Sequence, residues 1–372
     1  MNRKARKWCS AGLRLTVCTV ALVWVLHNVT YYDYVTLTDG VTLRAVDIRD
    51  DAITVVTKDG SQQIIACADG SCRRDDGLAI QYGLKTTWDG ANKSLLLLCL
   101  TIFAPVTLVQ SLRFQLLLRA QDIRLSYWES AKLCYAGNFL NFVTALGSTG
   151  GDAFKMYYVS LHTERKTEAV TTVVLDRIVG LSGLLLLVAC VLLVRAGDSK
   201  LAMLGYGVGG LAAGGLLCGI VLFSQRVRRL ILPKGALSKL PFADQLRRAE
   251  SATRRLASHK VLLWSGLGCT LVLQVIAMTS FVFAALALGM RGDAAALWDY
   301  YAYLAGGMVV AAVPISFQGL GTMEAFYKHA FLDTHGTLSA ILCLAMVVRA
   351  VGLFWALPGV IVTMTGTLET RE

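Results

Sequence analysis

Two stretches decide how this chain folds: GNFLNFVTALGSTGGDAFKMYYV at residues 137–159 and VPISFQGLGTMEAFY at residues 313–327. Each starts as an apolar helix pattern and is then interrupted. The first break is Gly147-Ser148-Thr149-Gly150-Gly151, and the second runs from Pro314 through Ser316-Phe317-Gln318-Gly319-Leu320-Gly321. Each segment resumes with a carboxylate and Ala-Phe, Asp152-Ala153-Phe154 in the first and Glu324-Ala325-Phe326 in the second. Backbone freed by such a break survives at membrane depth only where protein or a wet cavity surrounds it.

The rest of the chain makes a membrane the right solvent to consider. Of 372 residues, 55% are apolar and only 16% are charged, where a soluble domain carries about a quarter. Mean hydropathy is +0.56. These values exclude an ordinary cytosolic enzyme, a disordered chain and a disulfide miniprotein. The net charge of +11 sits in short segments beside apolar runs, so it reads as topology charge rather than as a nucleic-acid footprint.

Working outward, Met1 to Arg14 is basic and Leu15 to Val29 apolar, an expected uncleaved signal anchor (1–29) with its N-terminus in the cytosol. Thr30 to Lys93 alternates polar and apolar residues around Asp-Gly steps, and it carries ten Asp against seven Lys and Arg. Residues 30–93 are therefore expected to form a small extracytoplasmic β-rich domain. Cys67 and Cys72 lie in it, with a disulfide and a metal pair as the alternatives. The other eight Cys lie in or beside apolar runs and read as packing residues.

Ser94 to Leu118 is a helix with Pro105 as a kink, and Arg113, Arg119 and Arg124 mark its cytosolic end. Ala169 to Val194, Leu201 to Phe223, Val261 to Leu288 and Leu338 to Thr365 are further helices. Ser224 to Lys260 holds ten Lys and Arg against two acids, a basic segment beside the membrane. Asn28 and Asn92 match the glycosylation sequon, a weak signal.

A shift of 172 residues superimposes the two interrupted segments. Gly147 falls on Gly319, Asp152 on Glu324, Arg177 on Arg349 and Gly180 on Gly352, without a gap. The shared pattern is G-x4-[DE]-A-F-x22-R-x2-G, built from rare intramembrane charges and helix breakers. This reads as a duplication, with membrane repeats at 94–194 and 261–372 and the linking helix and basic loop at 195–260. If both broken segments spanned fully, the basic loop would lie outside. If both are re-entrant, it lies inside, as the positive-inside rule requires. The expected fold is an all-α polytopic membrane protein with about six full spans and two re-entrant hairpins in an inverted repeat, a recurrent transporter plan.

Arg177 and Arg349 stand well inside apolar helices, where a guanidinium needs a partner. Ion pairs with Asp152 or Asp176 and with Glu324 are one reading; a bidentate hold on a lipid phosphate is another. Asp152 and Glu324 read as helix caps, as ion-pair partners or as protonatable coupling groups. Gly150, Gly151, Gly319 and Gly321 offer either backbone N–H groups to an anion or close packing. Asn138 and Asn141 line a cavity or bond between helices. Lys155, Arg165 and Lys166 are expected to gather headgroups at the cytosolic mouth, with plain topology charge as the alternative. The five His have no metal spacing. No P-loop or catalytic motif is present, so neither a cofactor nor an enzymatic activity is expected.

The two quoted stretches, with VVLDRIVGL at 173–181 and VVRAVGLFWALPG at 347–359, resemble the lysylphosphatidylglycerol synthase transmembrane-region family over about Ser94 to Thr367. Those flippase-like proteins include the membrane half of the multiple peptide resistance factor. Here Ala145-Leu146 replaces a Pro-containing step, Lys155 stands near a usual Arg, and Gln318 replaces a Gly. The resemblance implies translocation of a phospholipid or lipid-linked glycan; the charge pattern places both termini in the cytosol, and the cytoplasmic membrane is the expected location. The rival is a non-transporting scaffold for a cytosolic lipid-modifying enzyme; a homodimer is a further expectation.

Overall fold

The computed structural model describes residues 32–36, 41–48, 52–57, 60–66, 79–81, 83–144, 149–195, 205–207, 209–210, 214, 260–313, 319–332 and 334–365. The expected signal anchor, nearly all of the Gly-rich 201–223 helix and of the basic 224–260 segment, and Cys67 and Cys72 lie outside the described residues.

The alternating segment forms a five-stranded antiparallel sheet. Its strands are β1 (Asp33–Thr36), β2 (Thr42–Ile48), β3 (Ala52–Val56), β4 (Gln62–Ala66) and β5 (Ala79–Gln81), in the order β4-β3-β2-β1-β5. Period two sends Val35, Ala45, Ile53 and Val55 to one buried face. Gly60, at φ 81°, makes the β3–β4 turn that the Asp-Gly step announces. Asp33 then ties the sheet to the next helix, α1 (Leu84–Asp89), accepting from Gly83 N at 2.5 Å and Thr86 Oγ1 at 2.8 Å.

Helices follow: α2 (Lys93–Phe103), α3 (Val106–Arg119), α4 (Tyr127–Val143), α5 (Gly150–Leu161), α6 (Lys166–Val194), α7 (Lys260–Ala287), α8 (Ala294–Ala312), α9 (Thr322–Phe331), α10 (Leu338–Ala356) and α11 (Pro358–Thr365). Asn92 caps α2 through Ser94 N and Leu95 N. Pro105 divides α2 from α3, as its missing N–H requires. Ala104 N turns to Thr101 O, which leaves the Leu100 carbonyl without its usual partner. The indole Nε1 of Trp355 on α10 donates to that carbonyl at 2.8 Å.

Four stretches among the described residues are long and apolar enough to cross a membrane: Lys93–Arg119, Lys166–Val194, Trp264–Ala287 and Leu338–Ala356. The α2–α3 pair packs antiparallel to α7. Asn92 N donates to Ala287 O at 2.8 Å, Ser280 Oγ to Cys99 O at 2.8 Å and Arg113 Nη1 to Thr270 Oγ1 at 3.4 Å, so one chain rises as the other falls.

The two broken segments fold back as hairpins, α4 with α5 and α8 with α9. Glycine permits each close approach. A Cβ on Gly151 would lie 1.9 Å from Gly137 O, and one on Gly307 would lie 2.1 Å from Tyr327 Cε1. The 172-residue shift holds at the helix starts: α5 begins at Gly150 and α9 at Thr322, α6 at Lys166 and α10 at Leu338. Packing exchanges between the halves as well. The first-half helix α6 packs on the second-half α8, while α4 packs on α10 and α11.

Overpacking a closed backbone contact costs about 1–3 kcal/mol. Gly151→Ala should therefore lower the melting temperature of the detergent-purified protein by several degrees. Gly268→Ala, with no atom within 4 Å of its Cβ position, should leave it unchanged. Differential scanning fluorimetry checks both.

Candidate functional site

The helix geometry brings the repeated charges together as two matched ion pairs. Arg177 on α6 donates from Nη1 to Asp152 Oδ2, in the first turn of α5. Its Nη2 donates at 3.1 Å to Ala312 O. Ala312 ends α8, where carbonyls lack intrahelical partners and a cation complements the helix dipole. A first-half arginine thus closes a second-half helix end.

Arg349 on α10 pairs with Glu324 in the same way. Nη1 reaches Oε1, and Nη2 donates to Oε2 at 3.0 Å and to Gly319 O at 3.2 Å. Glu324 Oε2 also accepts from Gly321 N at 2.8 Å, so this carboxylate is cap and ion partner together. Gly319 and Gly321 sit at φ 68° and 82°, the left-handed region that favours glycine. Asp152 and Glu324 differ by the shift of 172, as do the two arginines. The arginine side chains remain 29% and 19% accessible and their carboxylates 17% and 5%. Both arginine side chains are therefore partly accessible, although Arg349 Nε is buried.

Residues 145–148 of the first break lie outside the described residues, and its described end, Gly150 and Gly151, is engaged by side chains. Asn141 Oδ1 accepts from Gly151 N at 2.7 Å, and Asn138 Nδ2 donates to Gln110 Oε1 on α3 at 3.0 Å. Asn138 and Asn141 thus bond between elements, and Gly151 and Gly321 have their N–H groups already taken. A Cβ on Gly150 would lie 1.9 Å from Thr144 Oγ1. Gly150 and Gly151 are close-packing residues here.

Two charges lie elsewhere than the sequence suggested. Arg113 does not mark a helix end; it is 5% exposed and donates from Nε to Asp176 Oδ1 at 2.8 Å. Asp176 and Arg177 are chain neighbours about 100° apart around a helix, so they face different partners. An acid beside a spoken-for arginine in an apolar helix was the available signal for a second buried cation. Lys155 does not stand at an open mouth; it is 3% exposed, its ammonium 5.3 Å from the centre of the Phe114 ring. Three residues after Asp152, it rides the inner face of α5. Arg165 is exposed and pairs with exposed Asp122 at 3.4 Å, and Lys166 is exposed.

No motif in the sequence points to Asp299 and His335. His335 Nε2 lies 3.2 Å from Asp299 Oδ2, and Arg195 Nε lies 3.5 Å from Oδ1. Tyr300, Tyr303 and Phe331 surround the imidazole. Burial pushes His335 below its ordinary pKa against the upward pull of Asp299. No cluster among the described residues has the donors for a metal ion.

Breaking a buried pair by removing one partner costs about 3–5 kcal/mol, whereas replacing both with apolar groups is far milder. Asp176→Asn should sharply lower the melting temperature, and Arg113→Met with Asp176→Leu should recover most of the loss. Thermal unfolding in detergent measures this.

The model of the family described as the lysylphosphatidylglycerol synthase TM region matches residues 83–359. No curated protein matches the chain. The match begins just after the β-sheet and takes in both hairpins and both Arg–carboxylate pairs. With it, the apolar helices identify a membrane-spanning protein, and the chain belongs to the lysylphosphatidylglycerol synthase TM region family.

Proposed function

We propose that this protein is a lipid translocase in which a polar headgroup crosses between the two hairpins while the acyl tails stay in the bilayer. One observation carries the reading: two partly accessible arginines, each paired with a carboxylate at the restart of a broken helix, 172 residues apart in antiparallel halves. A guanidinium at membrane depth costs about 2.5–3.5 kcal/mol on insertion scales. Keeping two of them partly accessible makes sense where a polar group passes.

The geometry supports an inverted repeat with re-entrant hairpins. At 1.5 Å per residue, α5 and α9, of 12 and 10 residues, reach roughly 15–18 Å, about half of a 30 Å hydrocarbon core. Each hairpin returns to the side it came from. The positive-inside rule then puts the α4–α5 hairpin on the cytosolic side and α8–α9 on the outer side, with the sheet outside and both termini in the cytosol. Transport is passive or proton-coupled through Asp152 or Glu324, the substrate is a phospholipid or lipid-linked glycan, and the site is the cytoplasmic membrane.

The basic segment at 224–260 favours one other reading, a scaffold docking a cytosolic lipid-modifying enzyme. Proteoliposomes carrying a fluorescent phospholipid separate the two. The wild type should flip it, and Arg177→Gln with Arg349→Gln should slow flipping at least tenfold, measured on the folded fraction at a temperature below the lowered melting point that loss of two ion pairs brings. The charge swap Asp152→Arg with Arg177→Asp should keep the fold and still lose transport. Full flux in the double Gln variant would overturn the proposal. Loss of cellular function on deleting residues 224–259, with flux retained, would favour the scaffold.

A further inference from the structure

A second polar site lies away from the paired arginines. A cavity of about 690 Å³ opens between the α3–α4 and α5–α6 connections, within the about 300–1,000 Å³ range of small-molecule sites. Its charged lining is Arg124, Glu129, Glu164 and Lys166, with His162 and Ser160 beside them. Arg124, Glu164 and Lys166 take part in no ion pair with a described residue, although the adjacent Arg165 is engaged by Asp122. Glu129 closes the N-terminus of α4 by accepting from Ser126 N at 2.7 Å. His162 is set in place by Tyr158, donating from Nδ1 to its carbonyl at 2.9 Å and stacking on its ring at 4.2 Å.

Two cations and two carboxylates around one cavity sum to no net charge. A bare anion would be drawn by Arg124 and Lys166 and opposed by Glu129 and Glu164. A group carrying a phosphate and an amine matches Arg124 and Lys166 with the one and Glu164 with the other, while Glu129 stays committed to the α4 cap. The 172-residue shift carries none of these charges onto a charged residue of the second half. It carries Arg124 onto Ala296, Glu129 onto Tyr301, Glu164 onto Gly336 and Lys166 onto Leu338. The corresponding place in the second half holds the buried His335, Tyr300 and Phe331, with Asp299 against His335 and Arg291 paired to Asp293. Leu161 in the cavity lining is largely exposed, as are Trp128 on α4 and Tyr157 on α5, the mix of apolar bodies and polar edges that suits a membrane interface.

We infer that this cavity binds a zwitterionic phosphoester headgroup, a phosphate joined to a primary amine, and that the group arrives as the head of a phospholipid. The inference rests on the translocation reading, for which it names the substrate class. Binding is measured in detergent without a transport step, so its failure and a failed flux assay are distinguishable.

The test is native mass spectrometry of the full chain with equal amounts of phosphatidylethanolamine and phosphatidylglycerol of identical acyl composition. Wild-type protein should retain the ethanolamine lipid at least fivefold over the glycerol lipid. Glu164→Gln should bring that ratio close to one, and Arg124→Gln with Lys166→Gln should reduce retention of both lipids at least fivefold. All three residues are exposed, and an unchanged melting curve checks that each variant is folded. Soluble glycerophosphoethanolamine at equal concentration should not displace the lipid. Displacement by it would overturn the assignment to a lipid and point to a soluble phosphoester. Equal retention on the wild type, or a preference that survives Glu164→Gln, would overturn the site.

Discussion

The costliest demand in this molecule is that a guanidinium inside an apolar helix must find a counter-charge. Arg177 and Arg349 meet it with carboxylates that can only be where they are if a second helix restarts beside them. That restart requires a break, the break requires glycine, and the freed backbone requires side-chain partners. Asn141 on Gly151 N, Glu324 on Gly321 N and Arg177 on Ala312 O are those partners. The hairpins, their glycines and their capping residues are consequences of siting two positive charges within the membrane.

The matched pairs stand 172 residues apart, and the two halves also differ. The first half adds the buried pair Arg113–Asp176 and the enclosed Lys155. At the equivalent second-half positions stand Ala285, Val348 and Tyr327. The same holds at the loop ends, where Arg124, Glu164 and Lys166 line a cavity in one half while Asp299 and His335 are buried among aromatic rings in the other.

Much of this architecture is legible in the amino-acid sequence. The breaks at Gly147 and Gly319 and the shift of 172 are features of the linear chain, and both pairs follow from charge placed at matched helical positions. The period-two residues around Ile53 and Val55 likewise announce the sheet. Arg113 escapes a linear reading because proximity to other basic residues looks the same for a boundary charge as for a buried one. Its partner lies 63 residues away on another helix. Lys155 escapes it because its side of α5 is set by the fold-back against Gly137, which composition does not encode. The Asp299–His335 contact, 36 residues apart, depends on how α9 returns to α10.

The central claim is that the two halves are inverted about the membrane plane, with an arginine pair approached from each side. Arg119 and Arg291 are exposed and equivalent under the 172-residue shift. Single cysteines at these positions, in a cysteine-free background in oriented vesicles, can be labelled with an impermeant maleimide. The account predicts labelling of position 119 from the cytosolic side only and of position 291 from the opposite side only. Labelling of both from the same side would contradict the inversion and, with it, the path between the hairpins.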